Sequence, residues 1–400
     1  MATLIHNPTE RAGNSLEALH SAKTVVIKIG SSLLIKNGAL NHAWVTALMQ
    51  DILECRHRAQ NVIIVCSGAV ALGRRALATN SGSLTLEESQ AAAAAGQIEL
   101  AHGWREIMAA HQLTAAQILL TIDDTEQRRR YLNARATLET LLSYGAIPVI
   151  NENDSVATQE LRYGDNDRLA ARVASMIGAD CLVLLSDIDG LYRVAPAQGI
   201  APDPNDHIER VDSLTHDILT MAGDAGSPHG RGGMRTKLEA AGIATDAGCH
   251  MVLASGREER PLHRLETGAR STFFPAAGSP RSARKNWIRG ALVPTGKLHI
   301  DTGAQNALAK GRSLLPVGVV RIDGKFERGD CVTIIGPDGQ ELGRGLTAYG
   351  YKDAARIKGN QSVQIAEILG YHGRTEIIHR DNLVLSGDQT IDDASEGNVE

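Results

Sequence analysis

The stretch Val25-Val26-Ile27-Lys28-Ile29-Gly30-Ser31-Ser32 decides how the chain folds. It is a short apolar run with one lysine in it, ending on a glycine and two serines. Five more runs have the same character: Val62–Cys66, Ile118–Ile122, Ile147–Ile150, Cys181–Leu185 and Met251–Ala254. Runs of four to six residues rich in Val, Ile and Leu, without polar alternation, are strands of a parallel sheet covered on both faces. Between them lie helical patterns near residues 42–58, 86–111, 130–144, 166–177 and 234–247. Strands alternating with helices predict a doubly wound α/β fold, layered α/β/α around a mostly parallel sheet. The pattern leaves strand order open.

The regularity has limits at both ends. Residues 1–22 are polar and patternless and read as a loose leader, so the α/β domain spans 23–274. Residues 275–295 hold Pro275, Pro280 and Pro294 with Arg281, Arg284, Lys285 and Arg289, a basic linker. From 296 to 385 helical periodicity fades. Val317–Val320, Cys331–Ile335 and Ile377–Ile378 are strand candidates separated by turn pairs such as Asp323-Gly324 and Asp338-Gly339, which predicts a small, mostly β domain. Residues 386–400 form an acidic tail expected to be disordered.

Composition removes whole classes of function. At 400 residues with 43% hydrophobic and 22% charged, the chain can bury more than one core and stay soluble. A net charge of -5 and only 3% aromatic residues argue against nucleic acid as a general partner. No run reaches the roughly 18 apolar residues of a membrane span. Five cysteines, Cys55, Cys66, Cys181, Cys249 and Cys331, are odd in number and lack any CxxC pair, against a disulfide framework or a zinc ribbon. A cytoplasmic, soluble, multi-domain protein is the expectation.

Chemistry concentrates where strand candidates end. Lys28 inside a buried strand is expensive unless its charge meets a partner, and Gly30 beside it lets an anion approach backbone N–H groups. An edge strand with Lys28 in solvent would read the same way. Ser67-Gly68 closes the second run before an Ala-rich helix start, and Ser67 is not in a G-x-S-x-G elbow. Asn151-Glu152-Asn153-Asp154 follows a buried strand, and Gly164-Asp165-Asn166-Asp167 opens the next helix. Ligands of open α/β sheets bind at the carboxyl ends of strands, which makes this clustering a substrate site, although Asp165 or Asp167 also suits a helix N-cap. Ser186-Asp187 ends another run; Asp187 is a candidate Mg2+ ligand toward nucleotide phosphates. Arg231-Gly232-Gly233-Met234-Arg235-Thr236-Lys237 is a glycine-rich, basic loop entering a helix, suited to phosphate and distinct from a Walker A motif.

Taken in order, Val-Ile-Lys-Ile-Gly-Ser-Ser, Ser-Gly-Ala, Tyr-Leu-Asn-Ala-Arg, Pro-Val-Ile-Asn-Glu-Asn-Asp, Gly-Asp-Asn-Asp and Gly-Gly-Met-x-Thr-Lys resemble the amino acid kinase family. Gly311–Pro316 and Phe326-x-Arg328-Gly329-Asp330 resemble a PUA domain. The resemblance implies ATP-dependent phosphorylation of the γ-carboxylate of L-glutamate, the first step toward proline, with Mg2+ accompanying ATP. It implies Lys28 and Lys237 as the catalytic lysines. Ser67, Gly68, Asn151, Asp154, Asp165 and Asn166 would meet glutamate. Lys28, Gly30, Ser186, Asp187, Arg231, Gly232, Gly233, Met234, Arg235, Thr236 and Lys237 would meet the nucleotide. Proline as feedback inhibitor, with Asp124 in the region tied to it, and a homo-oligomer are further implications.

Four positions depart from the family pattern, the mildest being Ser186, where threonine is more usual and the hydroxyl survives. Arg231 stands where threonine is usual and Arg235 where a small hydroxyl residue is usual, so two charges are added beside the phosphate loop. Arg162 replaces a common lysine and keeps its charge. Two other readings compete: a relative acting on another carboxylate or a carbamate, and an RNA-associated regulatory protein with a degenerate kinase domain.

Overall fold

The structure, a computed structural model, describes residues 8–79, 82–157, 165–194, 202–221, 233–290 and 293–386. It divides into two compact units, 1–280 and 281–400.

The first unit is built on seven strands. In chain order they are β1 (Thr24–Ile29), β2 (Asn61–Cys66), β3 (Ala115–Leu120), β4 (Ile147–Glu152), β5 (Cys181–Ser186), β6 (His250–Ser255) and β7 (Ser271–Phe274). Spatially they lie in the order β7-β6-β5-β1-β2-β4-β3, and every pairing is parallel except β6 with β7. The chain therefore builds one side of the sheet from β1 to β4, then returns to the other side of β1 with β5. That reversal opens a crevice at the carboxyl ends of β1 and β5, where open α/β sheets take their ligands.

Strand alternation divides the core in two. Val25, Ile27 and Ile29 pack on one face with α1 (Pro8–Ser21), α2 (His42–His57) and α4 (Leu86–Ala109). Between α2 and α4 the short α3 (Ala69–Ala76) follows β2, and α5 (Arg128–Ser143) joins β3 to β4. Val26, Ile63, Val65, Leu182 and Leu184 pack on the other face with α6 (Asp165–Ile177) and α7 (Gly233–Asp246). Lys28 has the parity of Val26, so its side chain points at α6 and α7.

Three expectations change. Residues 8–21 form a helix rather than a loose leader: Leu19 is fully buried, and the Gln60 side chain donates to the Leu19 and Ala22 carbonyls at 2.7 Å each. Residues 1–7 and the acidic tail from 387 lie outside the described residues. The basic stretch 275–295 contains a helix at Pro280–Gly290, in which Ile288 is fully buried. Its Arg284 donates to Asn382 Oδ1 at 2.6 Å and to the Asp381 carbonyl at 3.1 Å, so an arginine read as a solvated linker charge is tied to the second unit. The third strand candidate stops at Leu120, because Thr121 and Asp124 make a reciprocal cap that starts a short helix at Ile122.

The second unit holds a five-stranded sheet, β8 (Gly296–Ile300), β9 (Val319–Gly324), β10 (Cys331–Ile335), β11 (Glu341–Leu346) and β12 (Leu383–Leu385), in the order β9-β8-β10-β11-β12. Its core gathers Leu298, Ile300, Phe326, Val332, Ile334, Ile357 and Ile377, among others.

The turn after β2 is positioned by close helix contact. Gly68 has φ +119°, and a Cβ there would lie 2.9 Å from Ile35 Cγ1, so glycine is required. It opens α3, which crosses α4 with backbone against backbone. A Cβ on Gly73 would fall 1.7 Å from the Ala92 carbonyl oxygen, and one on Gly96 1.9 Å from that of Ala69. Because backbone cannot yield as a flexible side chain can, Gly96→Ala should destabilise the protein by about 3 kcal/mol and lower Tm by roughly 5–10 °C, read by calorimetry. An unchanged Tm would show that α3 can move away freely.

Candidate active site

Lys28 is only 7% exposed although it carries an ammonium group. Its Nζ lies 2.5 Å from Oδ1 of Asp167, which is completely buried in the first turn of α6. The other oxygen of the same carboxylate accepts from Lys237 Nζ at 3.1 Å and from the Thr236 hydroxyl at 3.1 Å, both on the first turns of α7. One carboxylate thus holds two ammonium groups at the carboxyl end of the central strand. A buried lysine with such a partner is satisfied; without one it would shed its proton.

The electrostatics follow from the same geometry. Burial pushes the Lys28 pKa below the ordinary lysine value; the Asp167 charge opposes that, and Lys237 adds to it. For Asp167, burial favours the neutral acid, but the two lysines outweigh it and hold the carboxyl below the usual range. The carboxylate is ionised at neutral pH and keeps two positive charges close together that would otherwise repel.

Asn166, one residue earlier on α6, faces the other way along the sheet edge. Its Nδ2 donates to the Ser67 hydroxyl at 2.8 Å, linking α6 to the Ser67-Gly68 turn. Its Oδ1 is buried and has no hydrogen-bond partner among the described residues. An orphaned amide oxygen in a polar cleft calls for a donor from a ligand. Gly30 lies beside this pair: a Cβ there would stand 3.9 Å from Lys28 Nζ, an ordinary contact distance.

At the end of β5, the Ser186 hydroxyl donates to Asp187 Oδ1 at 3.1 Å, and Asp187 is exposed. An exposed carboxylate next to the lysine pair suits a Mg2+ ion that keeps phosphate and water oxygens as its other ligands. Among the described residues, Glu54, His263 and Glu266 bring their ligand atoms within 4.8 Å of one another. Glu54 is paired with Arg260 at 2.5 Å and Glu266 with Arg58 at 3.0 Å, so this cluster reads as an ion-pair network.

A second polar stretch at the sheet edge is 151–157. Glu152, Asn153, Asp154 and Ser155 line a cavity of about 230 Å3, with Ala93, Ala94, Gln97 and Ile98 of α4 and Gln117 and Leu119 of β3 opposite. Asn151 is 2% exposed, and its carboxamide is engaged at both ends: Nδ2 donates to Gln97 Oε1 and Oδ1 accepts from the Glu152 N–H, each at 2.9 Å.

The amino acid kinase family matches residues 23–255, and the PUA domain matches residues 296–369. The chain belongs to the amino acid kinase family. A Rhizobium meliloti relative named glutamate 5-kinase 1 is 54% identical over 95% of this chain and 97% of its own. Relatives named glutamate 5-kinase are 55% identical over 93% and 100% in Paramagnetospirillum magneticum, and 56% identical over 92% and 97% in Rhodopseudomonas palustris. A carbamate kinase from Giardia lamblia bound to AMP-PNP is 15% identical, with a TM-score of 0.45, over 64% of this chain and 99% of its own. No helix among the described residues is long and apolar enough to cross a membrane.

Within this amino acid kinase, the residues singled out from sequence divide by where the fold places them. Lys28, Gly30, Ser67, Gly68, Asn166, Ser186, Asp187, Gly233, Thr236 and Lys237 border the carboxyl edge of the sheet or the lysine pair. Asp154 faces the adjoining cavity, and Met234 packs against the core. Arg235 points elsewhere: its side chain is 70% exposed and pairs with Glu239 at 3.1 Å, because position i+4 on α7 offers a carboxylate. Arg231, Gly232 and Arg162 lie outside the described residues, as does the side chain of Asp165. The sequence places Asp167 in the acidic cluster, with a helix N-cap as the alternative, but does not link it to Lys28 or Lys237, and it gives no sign of Gln97. The parity of Lys28, which aims it at α6, was the available signal.

Replacing Asp167 by Asn removes the charge that opposes the loss of the Lys28 proton and leaves burial and Lys237, which promote it. The Lys28 pKa then falls further. The alkaline limb of the kcat–pH profile should move to lower pH. A limb that stays in place would detach Lys28 from Asp167.

Proposed function

We propose that this protein transfers the γ-phosphoryl group of ATP to the γ-carboxylate of L-glutamate. The observation that carries the reading is the pair of lysine ammonium groups on one buried carboxylate, at 2.5 and 3.1 Å, in a chain of this family. Phosphoryl transfer asks little covalent chemistry of a protein; it asks for in-line placement and positive charge where negative charge develops. Lys28 and Lys237 supply that charge on the transferring group and its neighbours, and Asp167 keeps both aimed. The attacking carboxylate is ionised at neutral pH, so no general base is needed.

The other roles follow the chemistry of each group. The orphaned Asn166 oxygen and the Asp154 carboxylate receive the glutamate ammonium, and the Ser67 hydroxyl and the Gly68 turn meet its carboxylate end. Gly30, Ser186, Gly233 and Thr236 border the phosphates. Asp187 would hold the Mg2+ that shields phosphate charge. Inhibition by L-proline, a homo-oligomeric state and a cytoplasmic setting, where the five buried thiols stay reduced, complete the proposal.

The test is ATP turnover with Mg2+ and L-glutamate in hydroxylamine, which traps an acyl phosphate as hydroxamate. Glutamate-dependent hydroxamate that falls on adding L-proline is expected. Turnover only with another carboxylate or with carbamate would keep the kinase and move the acceptor. Lys28→Ala and Lys237→Ala should each lower kcat by about 10²–10³ with much smaller changes in glutamate KM. Wild-type kcat in either variant would remove that lysine from the reaction.

A further inference from the structure

The segment 151–157 carries Asp154 and shares a cavity with the helix facing it. The cavity of about 230 Å3 separates Glu152–Ser155 from α4. Backbone bonds give the segment its own shape: the Asn153 N–H donates to the Leu120 carbonyl at 2.9 Å, and the Asn153 carbonyl accepts from the N–H groups of Val156 and Ala157 at 3.2 Å each. Two side chains tie its ends to α4. At the start, Gln97 Oε1 accepts from Asn151 Nδ2 at 2.9 Å. At the end, Gln90 Nε2 donates to the Ala157 carbonyl at 2.9 Å. Residues 90 and 97 are two helical turns apart and share one face of α4.

We propose that Gln90 and Gln97 are positioning residues: a clamp on α4 that fixes both ends of the segment and so sets where Asp154 meets the acceptor. This rests on the reading of Asp154 as the group that receives the substrate ammonium. Amide orientation is settled by the partners. Asn151 Oδ1 accepts from a backbone N–H, so its Nδ2 must be the end that reaches Gln97, which therefore uses its oxygen. Gln90 faces a carbonyl and must use its nitrogen. The two glutamines thus have opposite requirements: an acceptor at 97 and a donor at 90.

That opposition makes the test specific. Steady-state kinetics in the hydroxamate assay would compare Gln90→Met, Gln97→Met, Gln90→Lys and Gln97→Glu with Asp154→Asn. Methionine keeps the volume and removes the polar end. Each methionine variant should raise glutamate KM about tenfold, the worth of one hydrogen bond, while kcat and ATP KM stay within about twofold. Gln90→Lys keeps a donor, Gln97→Glu keeps an acceptor, and both should stay within about threefold of wild type. If Asp154→Asn raises glutamate KM and the methionine variants do not, the clamp is refuted and the site reading stands. If Asp154→Asn leaves KM unchanged, the site reading fails and takes the clamp with it. Loss spread equally over kcat and both KM values, in the conservative variants as well, would mean that the glutamines only hold the fold together.

Discussion

A single carboxylate buried between two lysines governs the first unit. Lys28 and Lys237 at hydrogen-bond distance hold the Asp167 carboxyl below the usual range, and the buried Lys28 ammonium depends on that carboxylate as its partner. This three-residue charge set binds the central strand, α6 and α7 together at one point on the sheet edge. It concentrates positive charge where the chain reverses across β1, the place a doubly wound sheet leaves open. Catalytic charge and fold are satisfied by the same contacts.

Adjacent residues on α6 extend this arrangement. Asp167 serves the lysines, while Asn166 reaches Ser67 in the glycine turn that opens α3. That turn is fixed by α3 pressing on α4 at Gly73 and Gly96. From α4, Gln90 and Gln97 reach the segment that carries Asp154. The two ends of the proposed reaction, phosphoryl donor and carboxylate acceptor, are therefore referred to one framework of strand ends and helix starts, with hydrogen bonds and backbone contact doing the alignment.

Most of the α/β layer was legible because buried parallel strands are continuous apolar runs, and six of the seven strands announced themselves that way. β7 did not, since Ser271–Phe274 is a short antiparallel edge strand with two polar residues. The first helix was hidden by its polarity, although Ala18 and Leu19 in its last turn enter the core. In the second unit, β8 and β11 escaped because Lys297, His299, Gly343 and Gly345 interrupt the apolar pattern. Helices there, such as Thr302–Ala309 and Tyr351–Ile357, are short and leave little periodicity to read.

The site was legible by residue type and less so by role. Charged and amide residues at strand ends marked the edge, but Asp167 has the composition of an ordinary N-cap and shows its work only when β1 and α7 are brought to it. Arg235 looked like a phosphate ligand from its loop, whereas helical spacing gives it to Glu239. The direct test is whether Asp167 acts through the lysines. In a Lys28→Ala/Lys237→Ala background, adding Asp167→Asn should leave the residual kcat unchanged, because neither lysine remains to be positioned. A further loss as large as that of Asp167→Asn in the wild-type protein would give Asp167 a role of its own and contradict the account.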